Sequence, residues 1–592
     1  MHQRREFRSS VRVASAGALL LAALRPEARA QGYVLYQFDG VNSADVFGFP
    51  FAVEGAGDVD GDGVSDFLAG TPFSDPGGVP NAGEVRVLSG ATGALIRSLE
   101  GTVPFGLLGF ACASAGDVDG DGRQDQVVGA AGVSPPGAGG AGRVLVFSGA
   151  TGLVLRTIDG TDTGGALGFS VAGARDVNGD GVPDVVAGAP QTSIPGTFAV
   201  GRAGVWSGAT GALLYAFTGA SANAFLGFSV AGPGDLDGDG RAEVAVGAPL
   251  SGTVALGPVG QVFVYSGLTG LPLYTLNGSA IADGVGFRLA TPGDLNGDGV
   301  EDLLAGAPGA SPGGLPLAGQ ALAYSGANGA VLQTLDGSGP ADFFGWSASG
   351  AGDLDRDGLL DVAVGAPFVD VPAPTGLKID AGQVKVYSGS NAILTLDGDA
   401  AFDEFGSSVA PAGDADADGF PELLVGAPFV EIGSGANVGL VRVYTVIGIP
   451  AGSSVYGTGC SGTGGFVPSI ETTGGLPTIG HPGFGFVLTR ALGGAQAFLF
   501  ASDVQNVPGL PLGGCTVHIA PGLPYPVVEL SRVSSVYGIV GMGGAGSAVK
   551  SVPIPNIPAL QGMPVYFQWS IFDPAGPNGM FITSNALALT IQ

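Results

Sequence analysis

A nine-residue acidic segment recurs along the chain at an almost constant interval, and this period constrains the fold more than any other feature. The segment begins at Asp58, Asp117, Asp176, Asp235, Asp294, Asp353 and Asp414, spaced by 59 residues five times and by 61 once. A period this constant means a repeat architecture, one supersecondary unit copied and stacked. The rest of the unit repeats in step. An apolar-Gly-Phe signal precedes each segment, at Phe47–Phe49, Leu108–Phe110, Leu167–Phe169, Leu226–Phe228 and Val285–Phe287, drifting to Phe344–Trp346 and Phe405–Ser407. An apolar run ending in Gly-Ala-Pro follows most segments, as at Val185–Pro190, Val244–Pro249 and Leu423–Pro428. Then come a strand such as Gln261–Gly267, a turn such as Ala91–Gly93 and a strand such as Leu273–Gly278.

Four short strands separated by glycine-rich turns make one twisted antiparallel sheet, and seven such sheets around an axis make a propeller. A single sheet cannot bury both faces; packing against two neighbours does, and a closed ring leaves no terminal blade exposed. The seventh unit stops after its third strand, Val441–Val446, while an unmatched strand, Tyr33–Gly40, opens the mature chain. The N-terminal strand is therefore predicted to complete blade seven. From residue 448 the repeat ends, and Gly/Pro-rich sequence with apolar runs such as AFLFAS, CTVHIA, VYFQWSIF and LALTIQ predicts a small β-sandwich. The expected fold class is all-β: a seven-bladed β-propeller over residues 31–447 and a C-terminal β-sandwich domain over 448–592. That last domain would anchor, sort or only stabilise.

Each acidic segment follows D-x-[DN]-x-D-G-x-x-[DE]. In a tight loop the side chains at positions 1, 3 and 5 converge, glycine at 6 permits the sharp turn, the carbonyl at 7 points inward, and a carboxylate at 9 can bind through both oxygens. An all-oxygen set of this charge selects a hard cation, and flexible coordination suits Ca²⁺ over Mg²⁺. Up to seven calcium ions are expected. Their ligands are Asp58, Asp60, Asp62 and Asp66; Asp117, Asp119, Asp121 and Asp125; Asp176, Asn178, Asp180 and Asp184; Asp235, Asp237, Asp239 and Glu243; Asp294, Asn296, Asp298 and Asp302; Asp353, Asp355, Asp357 and Asp361; and Asp414, Asp416, Asp418 and Glu422. These positions hold 26 of the 51 acidic residues, so bound ions would offset much of the formal charge of −29.

The combination FGF, DVDGDG and GAP resembles the FG-GAP repeats that build the β-propeller of integrin alpha subunits. The resemblance covers Tyr33 to about Ile447 and implies calcium in the loop between strands one and two of a blade. It also implies a role in adhesion or recognition, with an extracellular protein or glycan as ligand. All seven units here carry the loop, whereas integrin propellers carry it in some blades. Integrin leg domains and a membrane helix are not found, which puts pairing with a second subunit in doubt and leaves a monomer as the expectation.

The remaining signals concern location and chemistry. Arg4, Arg5, Arg8 and Arg12, the apolar run Val13–Leu24 and the small residues Ala28–Ala30 compose a secretory signal peptide over residues 1–30, with cleavage after Ala30. RREF is also similar to a twin-arginine signal. No later segment reaches the roughly 18 apolar residues of a membrane span, and the negative charge repels nucleic acid. A secreted or cell-surface location is expected. Cys460 and Cys515 are candidates for a disulfide in that oxidising setting, and Cys112 reads as a buried free thiol. Catalysis has little material: His481 and His518 are the only histidines of the mature chain, and no nucleophile elbow, zinc-protease motif or phosphate loop is present. Asp399, Asp403 and Glu404 are the one carboxylate cluster outside the loops to weigh as catalytic, against a solvated acidic turn. The chain reads as a non-enzymatic scaffold for adhesion or recognition. The alternatives are an envelope protein without specific ligand and the non-catalytic propeller of a secreted hydrolase.

Overall fold

The computed structural model describes residues 31–42, 45–49, 52–253, 257–355, 358–373, 376–415, 421–432 and 437–447, and beyond these the backbone of nine strands. The signal segment, Cys460, His481 and the loop residues Asp357, Asp416 and Asp418 lie outside the described residues, as do the side chains of Cys515 and His518. Apart from two three-residue 3₁₀ turns, the elements are strands.

Seven four-stranded antiparallel sheets surround one axis. Blade three shows the plan: Ser170–Arg175, Asp184–Ala189, Arg202–Trp206 and Leu213–Thr218 pair in sequence order. The first strand lines the axis and the fourth lies outermost. The second strand is buried at every position in all seven blades, because neighbouring sheets cover both of its faces. That is why it reads as an unbroken apolar run rather than an alternating one.

The hydrophobic cores lie between blades. One joins Ala111, Val127 and Val146 of blade two to Val171 and Val185 of blade three. Another joins Phe47, Val53 and Phe67 of blade one to Leu424, Val441 and Val443 of blade seven. Blade seven itself is ordered Ser408–Gly413, Glu422–Ala427, Leu440–Ile447 and then Gln31–Asp39 from the start of the described chain. The ring closes as the missing and surplus strands predict. A parallel bridge between Phe47 and Gly439 repeats across the closure the Gly142–Leu167 contact of blades two and three.

The two glycine motifs have one packing reason. A Cβ on Gly188, in the Gly-Ala-Pro of blade three, would run into the carbonyl of Gly227, in the Leu-Gly-Phe of blade four; the other blades repeat this contact. Backbone meets backbone between blades, and only glycine permits that approach. Ser170 Oγ donates to the same Gly227 carbonyl at 2.9 Å, as Ser229 does to Gly286 at 2.7 Å and Ser408 to Gly48 at 3.0 Å.

Beyond residue 447 the strands form three antiparallel sheets. One orders Ser454–Tyr456, Phe581–Thr590, Pro564–Phe572 and Ala497–Ser502; a second orders Ser469–Thr473, Gly485–Ala491 and Gly546–Ser551; Gln505–Leu512 pairs with Cys515–Ile519.

Candidate metal centre

Each acidic segment connects the first and second strands of its blade, so all seven emerge on one face of the ring. The loop winds on its own side chains. In blade one, Asp58 accepts the Gly61 N–H at 2.5 Å on Oδ1 and the Gly63 N–H at 3.0 Å on Oδ2. Asp60 Oδ1 accepts from Asp62 N at 3.1 Å, and Asp62 Oδ1 from Val64 N at 2.9 Å. Short acidic side chains readily take N–H groups two or three residues ahead, and blades two to five repeat the pattern. Position 2 anchors the loop: Val59, Val118, Val177, Leu236 and Leu354 are buried.

The carboxylate oxygens of Asp58, Asp60 and Asp62 lie within 4.8 Å of one another, and so do those of Asp235, Asp237 and Asp239. Asp117, Asp119 and Asp125 form a third such group, and Asp353, Asp355 and Asp361 a fourth. Positions 1 and 3 thus meet in all four; position 5 completes the cluster in two of them and position 9 in the other two. Blades three and five carry Asn178 and Asn296 at position 3 and do not form three-carboxylate groups this tight. The donors are oxygens only, partly solvated and of net negative charge, which suits a hard divalent cation.

Position 9 has a further part that the motif did not reveal. Asp66 is fully buried; its Oδ2 accepts from Val59 N at 2.8 Å and Asp60 N at 3.2 Å, and its Oδ1 from Gly90 N at 3.0 Å. Gly90 belongs to the turn between strands three and four. Asp125 bonds Gly149, Asp184 bonds Gly208 and Asp302 bonds Gly326 in the same way. In these four blades the closing acid therefore staples the loop to the neighbouring turn, and both oxygens of the expected bidentate ligand are engaged with backbone. Burial pushes these acids up, Asp184 to about 6 and Glu243 and Asp361 to about 7, with the backbone donors pulling the other way. At exposed Asp294 the donors win: the Gly299 N–H, foremost, holds it below the usual carboxylate range.

The opposite face carries the second-to-third and fourth-to-first connections. At the entry to the first strands, the third residue of each apolar-Gly-Phe signal builds an arc of rings. Successive centroids of Phe49, Phe110, Phe169, Phe228, Phe287 and Trp346 lie 4.8–5.3 Å apart. Ser407 interrupts the arc, and Phe73 and Phe368 pack edge-on against its two ends. The repeat made these residues visible in the sequence as a column, but their meeting needed the closed ring. Between the faces, an axial cavity of about 210 Å³ is lined by Glu54, Cys112 and Arg288 among small residues. Cys112 is a buried free thiol, as expected. Of the carboxylates weighed for catalysis, Asp399 pairs with Arg442 at 2.5 Å, Asp403 caps its turn through the Ala400 N–H at 2.9 Å, and burial beside Asp380 pushes Glu404 to about 7.

A ring of seven four-stranded blades with acidic hairpin loops on one face defines a seven-bladed β-propeller. The FG-GAP repeat matches the chain at residues 51–88, 167–205, 227–265, 287–331, 344–387 and 405–444. These six segments are similar to the FG-GAP repeats of integrin alpha chains. Blade two lies outside the matched segments yet has the same four strands; its second strand ends in Gly-Ala-Ala rather than Gly-Ala-Pro. Among curated proteins the chain is similar to integrin alpha-V of Gallus gallus, 34% identical over 218 residues, covering 34% of this chain and 20% of that protein. It is also similar to integrin alpha-5 of Xenopus laevis, 33% over 221 residues covering 34% and 20%, and to integrin alpha-7 of Rattus norvegicus, 34% over 216 residues covering 35% and 18%. The chain spans about a fifth of the length of these relatives.

Proposed function

We propose that the protein is a secreted or cell-surface, calcium-binding β-propeller that serves as a non-enzymatic adhesion or recognition scaffold, with residues 31–447 as the propeller and 448–592 as a separate C-terminal domain. Calcium would be held by positions 1, 3 and 5 of the loops with the position 7 carbonyl, joined in blades two and six by the position 9 acids Asp125 and Asp361, while position 9 also fixes the loop on the ring. Bound there, the ion supplies charge neutralisation rather than chemistry. The N-terminal strand closes the ring from within the chain, which favours a monomer.

The observation that carries the recognition reading is the contrast between the faces. The loop face repeats the same acids and turns in every blade and offers little to discriminate ligands. The other face carries connections as different as Pro72–Gly83, Pro190–Gly201 and Pro367–Gly382. It also bears every exposed phenylalanine among the described residues, Phe105, Phe198 and Phe402. Exposed aromatics on variable loops of a rigid scaffold are the usual material of a recognition surface. The test is to probe a glycan and matrix-protein array with the calcium-loaded protein, then replace Pro367–Gly382 by the Pro72–Gly83 sequence. Binding should be lost while calcium-dependent melting persists. Unchanged binding after every such swap on that face would move the site elsewhere.

A further inference from the structure

The seven loops differ in what leans on them. Position 7 is Val64, Val182, Val300, Leu359 and Phe420 in five of them, but Arg123 in blade two and Arg241 in blade four. Both arginines lie over the loop of the preceding blade. Arg123 Nη1 is 3.6 Å from Asp58 Oδ1, a member of the blade-one acidic cluster. Its guanidinium also fills the space a Cβ on Gly61 would occupy. Arg241 occupies the equivalent space over Gly179 in the loop of blade three. There the loops are tied as well: Ala242 N donates to the Asp176 carbonyl at 3.0 Å, holding the residue beside Arg241 in place.

We propose that Arg123 and Arg241 are tethered counter-charges for the loops of blades one and three, so that calcium enters these two loops against a resident cation and the seven sites divide into a tighter and a weaker class. The inference rests on the calcium reading above. The Arg123 guanidinium, 3.6 Å from a ligand oxygen, offsets part of the charge that attracts the ion, as Arg241 does from the same place over its loop, and the repulsion of a divalent cation is a Coulomb effect that salt screens. At position 7 the other five loops carry an apolar residue, so no charge is delivered from there. In calcium-free protein the same two arginines keep their loops partly neutralised.

The experiment is calcium titration calorimetry on chelator-stripped full-length protein, comparing wild type with Arg123→Gln, Arg241→Gln, the double variant and Arg123→Lys, with Arg143→Gln as a control remote from the loops. Each glutamine variant should move one site into the tighter class by about tenfold, some 1.4 kcal/mol. Lysine should preserve the weaker site, the control should change nothing, and raising the salt toward 1 M should shrink the difference between wild type and variant. Calcium binding with isotherms unchanged by glutamine, weakened by it, or changed in a way that salt does not reduce would overturn the proposal. Absence of calcium binding in every form would overturn the calcium reading itself.

Discussion

The two faces of this ring are built from the same seven units by opposite rules. On the loop face, local hydrogen bonds set the winding: each acid takes N–H groups a few residues ahead, and the closing carboxylate reaches one turn of its own blade. On the other face, order comes from neighbours. The aromatic arc exists only because the blades stand side by side, and the connections around it are free to differ. A structural demand met inside each repeat holds the sequence uniform. A demand met between repeats fixes one residue per blade and leaves the rest open to function.

Removing calcium should separate the faces most sharply. With affinities near the 10⁻⁴–10⁻³ M typical of extracellular modules, ions at ten times Kd contribute about 1.4 kcal/mol per site, or about 10 kcal/mol for seven. Melting in EDTA should fall well below melting in millimolar calcium, and hydrogen exchange should rise first in the loops and the turns stapled to them. Superimposable melting curves would break the comparison at its root.

Next in size is Asp184→Ala. It leaves the N–H groups of Val177, Asn178 and Gly208 without their acceptor and should cost about 3 kcal/mol or more, measured by calcium-saturated denaturation. Retained stability would mean that the closing acid is not a staple. Phe228→Ala, in the middle of the arc, removes ring contacts with Phe169 and Phe287 and should cost about 2 kcal/mol. Calcium affinity should not change; a shift would show that the faces are coupled.

The axial cavity between the faces gives the smallest effect. Burial pushes Glu54 from 4.5 up to about 7 against the pull of Arg288. A carboxyl raised on folding contributes stability that is full below its unfolded pKa and is lost as pH rises through its folded pKa. Because Glu54 is only partly buried and borders the cavity, solvent screens part of the full value of about 3 kcal/mol, and Glu54→Gln should remove a decline of roughly 1–2 kcal/mol between pH 4.5 and 7, seen as a change with pH in the melting-temperature difference between wild type and variant. A constant difference would mean that Glu54 is not raised.

Much of this was legible because repetition aligned the chain with itself. The column of third residues in the apolar-Gly-Phe signals, ending at Ser407, was visible in the sequence, but that its rings touch was not. The winding of the loops was legible, since D-x-[DN]-x-D-G-x-x-[DE] places the turn glycine and the side-chain acceptors of the first five positions. The staple was not, because nothing in the spacing of Asp66 and Gly90 says that one buried carboxylate joins two connections of one blade. Nor were Glu54, Cys112 and Arg288 legible as neighbours, since they come from blades one, two and five.

The sequence by itself determined the repeat, the four strands of each blade, the winding of the acidic loops and the strand that closes the ring. These depend on interactions within about sixty residues or on the matching of one surplus strand to one vacancy. The tertiary structure alone decided what meets across blades: glycine backbone on glycine backbone, six rings in an arc, and Arg123 laid over the loop of the blade before it. Those contacts depend on how far each blade is rotated about the axis, which is set when all seven pack their faces together and is written in no single repeat.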